Sequence, residues 1–356
     1  MSKLFLVAVL GAGLASAQNP NQFQSTFIRI PRASQRAVLN QRIALTDVTI
    51  TYSRPVAAGR KVFGGIVPYG QVWRAGANEN TIIEFSTDVK VEGQPLAQGV
   101  YGLHMIPGEN EWVIVFSKNS TSWGSFTYDE KEDALRVKVK PAAGEMHDVL
   151  TYDFAGLKQD SSALTLEWDR VAVPITISVD LIATTLDSLH KQLRMTAQFT
   201  WEGLNDAAKW CVENKVNYEE ALKWVNQSII GEERFENLDT KSDVLKAMGK
   251  EEEAKQFHAK ALEKATAIQL YVYARGIQRG GKAPEAFGYY RQLAKNFPEH
   301  WISHLATARV LSADKNFDGA AKEIRTAIAA LADNKPQAQA LEGSLKRLEN
   351  KEDINQ

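Results

Sequence analysis

Four side chains within one short segment could recognise a ligand: Trp73, Arg74, Asn78 and Glu79. An indole stacks on a sugar face or on a cation, while a guanidinium and a carboxamide supply directional hydrogen bonds. This mixture of groups is expected of a concave binding site. The segment also has a structural explanation, in which Arg74 pairs with Glu79 and Asn78 pins the turn at Gly76. The sequence leaves both roles open.

Two more residues could join this candidate site. His104 lies in a predicted strand and could act as an acid or a base, because the ordinary pKa of histidine is close to physiological pH. Trp123 begins the aromatic loop Trp123-Gly124-Ser125 and could contact a sugar. A buried strand histidine and a tryptophan that caps a core are the structural alternatives. The candidate ligand-binding set is Trp73, Arg74, Asn78, Glu79, His104 and Trp123.

Metal and enzyme signatures are weak. His300 and His304 are four apart on a predicted helix and could share one metal ion. Two histidines do not complete a coordination sphere, and the glutamate that zinc proteases place between them is missing. The chain has no nucleophile elbow, phosphate-binding glycine loop or paired-cysteine site. We predict no metal, no cofactor and no assigned catalytic residue.

The length, charge and cysteine content of the chain indicate how many domains it has and which partners it does not attract. The chain has 356 residues, which exceeds the usual size of one domain, so two domains are expected. Lys plus Arg total 42 and Asp plus Glu total 43, so no long-range field would attract nucleic acid. We therefore predict no nucleic-acid partner. Cys211 is the single cysteine, which rules out a disulfide within the chain.

The N-terminus predicts export. Lys3 is followed by the apolar run 4–14 and by the small residues Ala15-Ser16-Ala17, the pattern of a signal peptide over residues 1–17. Cleavage near Ala17 would deliver the protein to the periplasm or the medium. No transmembrane segment is predicted later in the chain. The polar residues 18–46 predict an exposed N-terminal segment.

The next part of the chain predicts a β domain at residues 47–180. Val48, Ile50 and Tyr52 alternate with polar residues, as in a strand with one buried face. Similar short runs follow, separated by Gly- and Pro-containing turns, with no helical pattern between them. Antiparallel hairpins and a β-sandwich or jelly-roll-like fold are expected, and a closed barrel stays open.

Residues 187–350 predict an array of helical hairpins. Ala221, Ala254, Ala286 and Ala320 each lie early in a helical stretch, and their spacing is close to the tetratricopeptide period of about 34 residues. The residues seven positions after these alanines are mostly small, as expected where helices approach closely. Stacked hairpins form an extended concave surface that holds peptides or proteins. We therefore predict a protein or peptide partner for the array.

Several motifs of the β region resemble one family of exported bacterial proteins, the domain of unknown function 2911. They are YGQVWRAGANENT at 69–81, GVYGL at 99–103, WVIVF at 112–116, WG at 123–124 and DALRV at 133–137. The likeness covers roughly residues 47 to 180. It implies an exported β domain, and it implies no activity.

These patterns favour an exported, non-enzymatic binding or scaffold protein. In this hypothesis the helical repeats contact a protein, and the β domain adds a site for a small polar ligand or sugar. The alternative is a carbohydrate-binding module or hydrolase with its site around Trp73–Thr81. That alternative requires the candidate side chains to converge on one pocket. A purely structural envelope component is the third option.

Overall fold

The computed structural model describes residues 31–331 and 334–355, and the predicted signal peptide lies outside them. The chain forms two compact units, of which the first ends at Asp187 and the second begins at Ser188. Of the described residues, the first unit contains all the β-strands and the second contains nine of the ten α-helices. The remaining helix, Leu181–Gln192, crosses the boundary. This order matches the change from two-residue to helical periodicity in the sequence.

The β domain consists of two antiparallel sheets. Its strands are β1 (Gln35–Ile43), β2 (Thr46–Arg54), β3 (Thr81–Phe85), β4 (Val89–Val91), β5 (Gln94–Leu96), β6 (Gly99–Ile106), β7 (Trp112–Ser117), β8 (Asp133–Val139), β9 (Ala142–Ala155) and β10 (Ser161–Ser178). The first sheet has the order β1-β2-β3-β6-β7-β8 and the second has the order β5-β4-β10-β9. Over the described residues both sheets are open, so the β-sandwich prediction is confirmed and the domain is not a closed barrel.

The alternation of side chains creates the sandwich core. On β7, Trp112, Ile114 and Phe116 are fully buried in the core, whereas Val113 between them is half-buried on the other face. Trp168 of the long strand β10 meets this layer through Phe63, whose ring lies edge-on to Trp112 at 4.8 Å. Large aromatic groups that interlock in this way fill the core at high density.

The structure departs from the expectation of an exposed segment at 18–46, because residues 35–43 form strand β1. This strand pairs with β2 from Gln35 opposite Arg54 to Ile43 opposite Thr46. The sequence hid the strand for two reasons. The strand lies at a sheet edge, so five of its nine residues are polar and only Ile43 is fully buried. Its hairpin loop uses Ala44 at φ 51° instead of the usual Asn or Gly.

Ten α-helices follow the sheets in the part of the chain that the structure describes. They are α1 (Leu181–Gln192), α2 (Trp201–Glu213), α3 (Tyr218–Gly231), α4 (Phe235–Ala247), α5 (Glu251–Lys264), α6 (Ala267–Arg279), α7 (Ala283–Asn296), α8 (Trp301–Ala313), α9 (Phe317–Ala330) and α10 (Lys335–Glu349). Within the described residues, none of the helices combines the length and apolar character needed to span a bilayer.

The repeat alanines stand at equivalent places. Ala221, Ala254, Ala286 and Ala320 are each the fourth residue of the second helix of a hairpin, and each is at most 4% exposed. The hairpins are α2–α3, α4–α5, α6–α7 and α8–α9. Small side chains at these positions let neighbouring helices approach closely. The prediction of an array of tetratricopeptide-like hairpins is confirmed.

Candidate functional site

The loop between Trp73 and Thr81 is held rigidly against the β domain. Two backbone hydrogen bonds of 2.8 Å join Trp73 and Met105, which fixes the start of the loop. The carbonyl of Ala75 accepts hydrogen bonds from the Thr81 hydroxyl at 3.1 Å and from the buried Tyr152 hydroxyl at 2.9 Å. Because both ends are fixed, the backbone that carries the candidate residues is preorganised.

The Trp73 indole is committed to structural contacts. Its ring stacks on Trp168 with the centroids 5.9 Å apart and the planes 21° apart, and it lies edge-on to Phe63. Its Nε1 donates a hydrogen bond of 3.1 Å to the Gly76 carbonyl inside the loop. The face that sequence analysis offered to a ligand is therefore packed against the core.

The ion pair expected between Arg74 and Glu79 does not form. Glu79 instead accepts a hydrogen bond of 3.0 Å from Arg32, which precedes β1. Asn78, at φ 59°, donates its side-chain amide to the Ser34 carbonyl at 3.1 Å. Glu79 and Asn78 thus tie the segment before β1 to the loop. The predicted ion pair is wrong, and the Asn78 side chain binds Ser34 where a bond within the turn at Gly76 was expected.

Arg74 is left without a counter-ion. Among the residues that the structure describes, it makes no hydrogen bond and no ion pair, and its Nε is buried without a partner. Its Cδ packs close to Gly124, 3.5 Å from where a β-carbon on that glycine would stand. The surrounding protein removes water from the guanidinium, and this burial lowers the pKa of Arg74.

His104 lies on the outer face of the first sheet, where it contacts Ser125 of the segment 122–128. It is 2% exposed, and its Nδ1 is 2.8 Å from the Ser125 Oγ. Burial lowers the pKa of His104 to about 4, so the imidazole is neutral at pH 7. A base this weak is poorly suited to deprotonate a serine hydroxyl near neutral pH. The pair therefore gives the hydrolase hypothesis no support.

The segment 122–128 brings three of the six candidate residues together. Its Gly124 packs on Arg74, its Ser125 contacts His104, and its Trp123 is 48% exposed. The Arg32 guanidinium carbon stands 5.1 Å from the centre of the Trp123 ring, so the Arg32–Glu79 pair reaches the same place. Sequence reasoning missed Arg32, because no motif connects it with residues so far along the chain.

A polar cluster closes the far side of this loop. The Tyr128 hydroxyl donates to Asp133 at 2.6 Å and accepts from Arg136 at 2.9 Å. Arg136 also pairs with Asp133 and with Glu130, each at 2.7 Å. Arg136 is the one cation that these two carboxylates share, and the Asp133 Oδ1 is buried without a hydrogen-bond partner among the described residues. The cluster therefore explains the position of the loop.

A second candidate site lies on the inner side of the last two hairpins. After α10 the chain reverses at Lys351, at φ 60°, and residues 353–355 return across α8. Arg309 donates to the Ile354 carbonyl at 2.8 Å, and the Ile354 amide donates to the Ser312 Oγ at 3.0 Å. Both main-chain groups of Ile354 are therefore satisfied by side chains of one helix.

Helix α6 completes this second site. Gln278 donates to the Asn355 side-chain oxygen at 2.7 Å, and the Asn355 amide donates to the Arg309 carbonyl at 2.8 Å. Tyr290 holds Gln278 through a hydrogen bond of 2.8 Å. The Ile354 side chain is 4% exposed in the core of the last helices. The array thus holds a non-helical peptide segment by its main chain and by its side chains.

The two histidines considered for a metal do not share a helix face. His300 precedes α8 and caps it, its Nδ1 accepting a hydrogen bond of 3.2 Å from the Ile302 amide. His304 lies inside the helix and pairs with Glu323 at 2.7 Å. In the described part of the chain, no group of three or more His, Cys, Asp or Glu residues could hold a metal ion.

Comparison with known proteins places the β domain in a family. Residues 34–177 match the family model "Protein of unknown function (DUF2911)". The β domain is a DUF2911 domain. The match begins one residue before β1, so this edge strand, which the sequence analysis did not predict, belongs to the DUF2911 region. The resemblance noted from the motifs is confirmed.

Other comparisons are more distant. No curated protein matches the chain. Among solved structures, similarity is found to YrrB, described as "a TPR protein with an unusual peptide-binding site". The identity is 14%, the alignment covers 45% of this chain and 86% of YrrB, and the TM-score is 0.25.

Proposed function

We propose that this protein is a binding or scaffold protein whose helical array holds an extended segment of a protein partner. The observation that carries this proposal is the seating of Asp353, Ile354 and Asn355 between α6 and α8. Those two helices are the first helices of consecutive hairpins, which face the inner surface in a stacked array. We further propose, from residues 1–17, that the protein is exported.

The contacts have the character of peptide recognition. The pair of bonds to the Ile354 main chain would hold any residue at that position, and the Asn355 amide is read by Gln278 and by the Arg309 carbonyl. Each such hydrogen bond contributes on the order of 1 kcal/mol. Burial of the Ile354 side chain adds about 2 kcal/mol. A segment of the form acid–aliphatic–carboxamide fits this site.

A chain that ends at Asn350 is expected to bind the labelled peptide KEDINQ, the sequence of residues 351–356, with a dissociation constant between about 1 μM and about 100 μM. The intact chain should bind the same peptide at least about tenfold more weakly. Its own segment is tethered to the site at an effective concentration in the millimolar range. Fluorescence anisotropy measures both affinities.

Two controls give this experiment its meaning. A peptide of the same composition in a scrambled order should bind weakly, and an Arg309→Ala substitution in the shortened chain should abolish binding. Circular dichroism shows whether the shortened chain keeps its helices. Equal affinity for the scrambled peptide, or equal affinity of the intact and shortened chains, would refute the proposal.

A further inference from the structure

The β domain carries a positive charge that its described residues do not neutralise, and this is the Arg74 guanidinium. We propose that Arg74 is the counter-ion of an oxyanion ligand, a carboxylate or phosphate carried on a flat ring. This site is separate from the peptide site of the array and does not depend on it.

The first step of the argument is charge compensation. Glu79 pairs with Arg32 at 3.0 Å, and the Asp133 Oδ2 pairs with Arg136 at 2.7 Å, while the Asp133 Oδ1 is buried without a partner in the described part of the chain. Glu132 accepts a hydrogen bond of 3.2 Å from the Asn119 side chain. No carboxylate of the described residues forms an ion pair with Arg74. A partly buried charge without a partner is costly, so an anion from outside is the group that would satisfy it.

The second step is access. Of the Arg74 nitrogens, only Nε is buried without a partner. Arg74 is half-buried, and its terminal nitrogens make no hydrogen bond with the described residues. Guanidinium groups bind carboxylate and phosphate with two parallel hydrogen bonds, which a single ammonium group does not provide.

The third step is rigidity. The residue before Arg74 is fixed by the paired hydrogen bonds between Trp73 and Met105, and the residue after it by the bonds to the Ala75 carbonyl. Ala75 adopts φ 52°, a left-handed conformation that costs free energy at a residue with a side chain. The backbone that carries Arg74 is therefore fixed before a ligand arrives, which lowers the entropic cost of binding.

The fourth step concerns the ring. Gly124, which packs on the Arg74 stem, stands between Trp123 at 48% exposure and Phe126 at 83% exposure. Two exposed aromatic side chains beside an unpaired cation suit a ligand with an anionic group and a flat face. An acidic sugar and an aryl phosphate both have these two features, and they share the oxyanion that Arg74 requires.

Calorimetric titration of the full chain with glucuronate, phenyl phosphate, glucose and phenol tests this site. We expect glucuronate or phenyl phosphate to bind and the neutral ligands not to bind, and the comparison of the two acids tells carboxylate from phosphate. Arg74→Gln should weaken the binding by about tenfold or more, because it removes a charge-assisted hydrogen bond. Arg36→Gln, at an exposed position of β1, is the matched control and should leave the affinity unchanged.

Thermal unfolding without ligand separates a binding role from a structural one. Arg74→Gln removes an uncompensated charge and should leave the melting temperature equal or higher. The proposal fails if neither acid binds, if Arg36→Gln weakens binding as much as Arg74→Gln, or if Arg74→Gln lowers the melting temperature by several degrees.

Discussion

Replacing Gly102 with alanine is expected to destabilise the β domain by about 3 kcal/mol, the upper end of overpacking effects. A β-carbon at Gly102 would stand 2.3 Å from the Asn119 backbone oxygen and 2.4 Å from the Asn80 side-chain nitrogen. Neither atom moves away easily, because Asn119 O belongs to the backbone and Asn80 is 3% exposed. The loop would have to lift from the sheet, and with it the contact between Ser125 and His104.

Hydrogen exchange measured by mass spectrometry on the full chain tests this prediction. Gly102→Ala should speed exchange in the peptides that cover β6 and β7, and urea unfolding should give the loss of stability. Gly288 provides the matched control, because its added β-carbon would meet nothing within 4 Å in the exposed part of α7. Gly288→Ala should stabilise its helix by up to about 1 kcal/mol. Unchanged exchange in Gly102→Ala would contradict the packing described here.

Acidification is expected to destabilise the protein through His104. The pKa of His104 is lowered from its ordinary 6.5 to about 4 in the folded chain, because burial opposes the charged form. Above pH 6.5 the imidazole is neutral in both states and contributes nothing to pH dependence. As the pH falls from 6.5 to 4, only the unfolded state takes up the proton, so the free energy of unfolding decreases by about 3 kcal/mol from this group.

Substitutions distinguish the contribution of His104 to the pH dependence of stability from that of the other groups that titrate in acid. In urea unfolding, the free energy of unfolding of His104→Gln should decrease between pH 7 and pH 4 by about 3 kcal/mol less than that of the wild-type chain. Ser125→Ala keeps the imidazole buried and should keep most of the dependence, since burial is the main cause of the shift. If His104→Gln and the wild-type chain follow parallel curves, the neutral buried histidine is the wrong description.

The two candidate sites differ in how they are built. The inner side of the array is lined by regular helices, and its occupant satisfies hydrogen bonds with Arg309, Ser312 and Gln278. The β-domain site lies on loops, and its distinctive feature is a charge on Arg74 that the described residues do not meet. The site of the array is filled by residues 353–355, whereas the guanidinium of the β-domain site has no partner among the described residues. A filled site shows which groups fit it, and a buried polar group without a partner indicates that a group is missing, so both observations favour binding.

The sequence by itself determined the local patterns. The alternation of Leu135, Val137 and Val139 with charged residues predicts a strand with one wet face, and it is β8. The near-34-residue phase of the alanines predicts close helix contacts, and all four positions are buried. Such patterns can be recognised because the face that a side chain occupies depends on its position along one strand or helix.

Tertiary structure alone decided the partners of the polar groups. Glu79 could have paired with nearby Arg74, yet it pairs with Arg32, 47 positions away, and Arg74 is left uncompensated. Strand β1 forms because it pairs with β2, and Asn355 reaches Gln278 only because the chain reverses after α10. The reason is physical: the partner of a charge or hydrogen-bonding group is set by distance in space, and periodicity carries no information about which distant segments fold together.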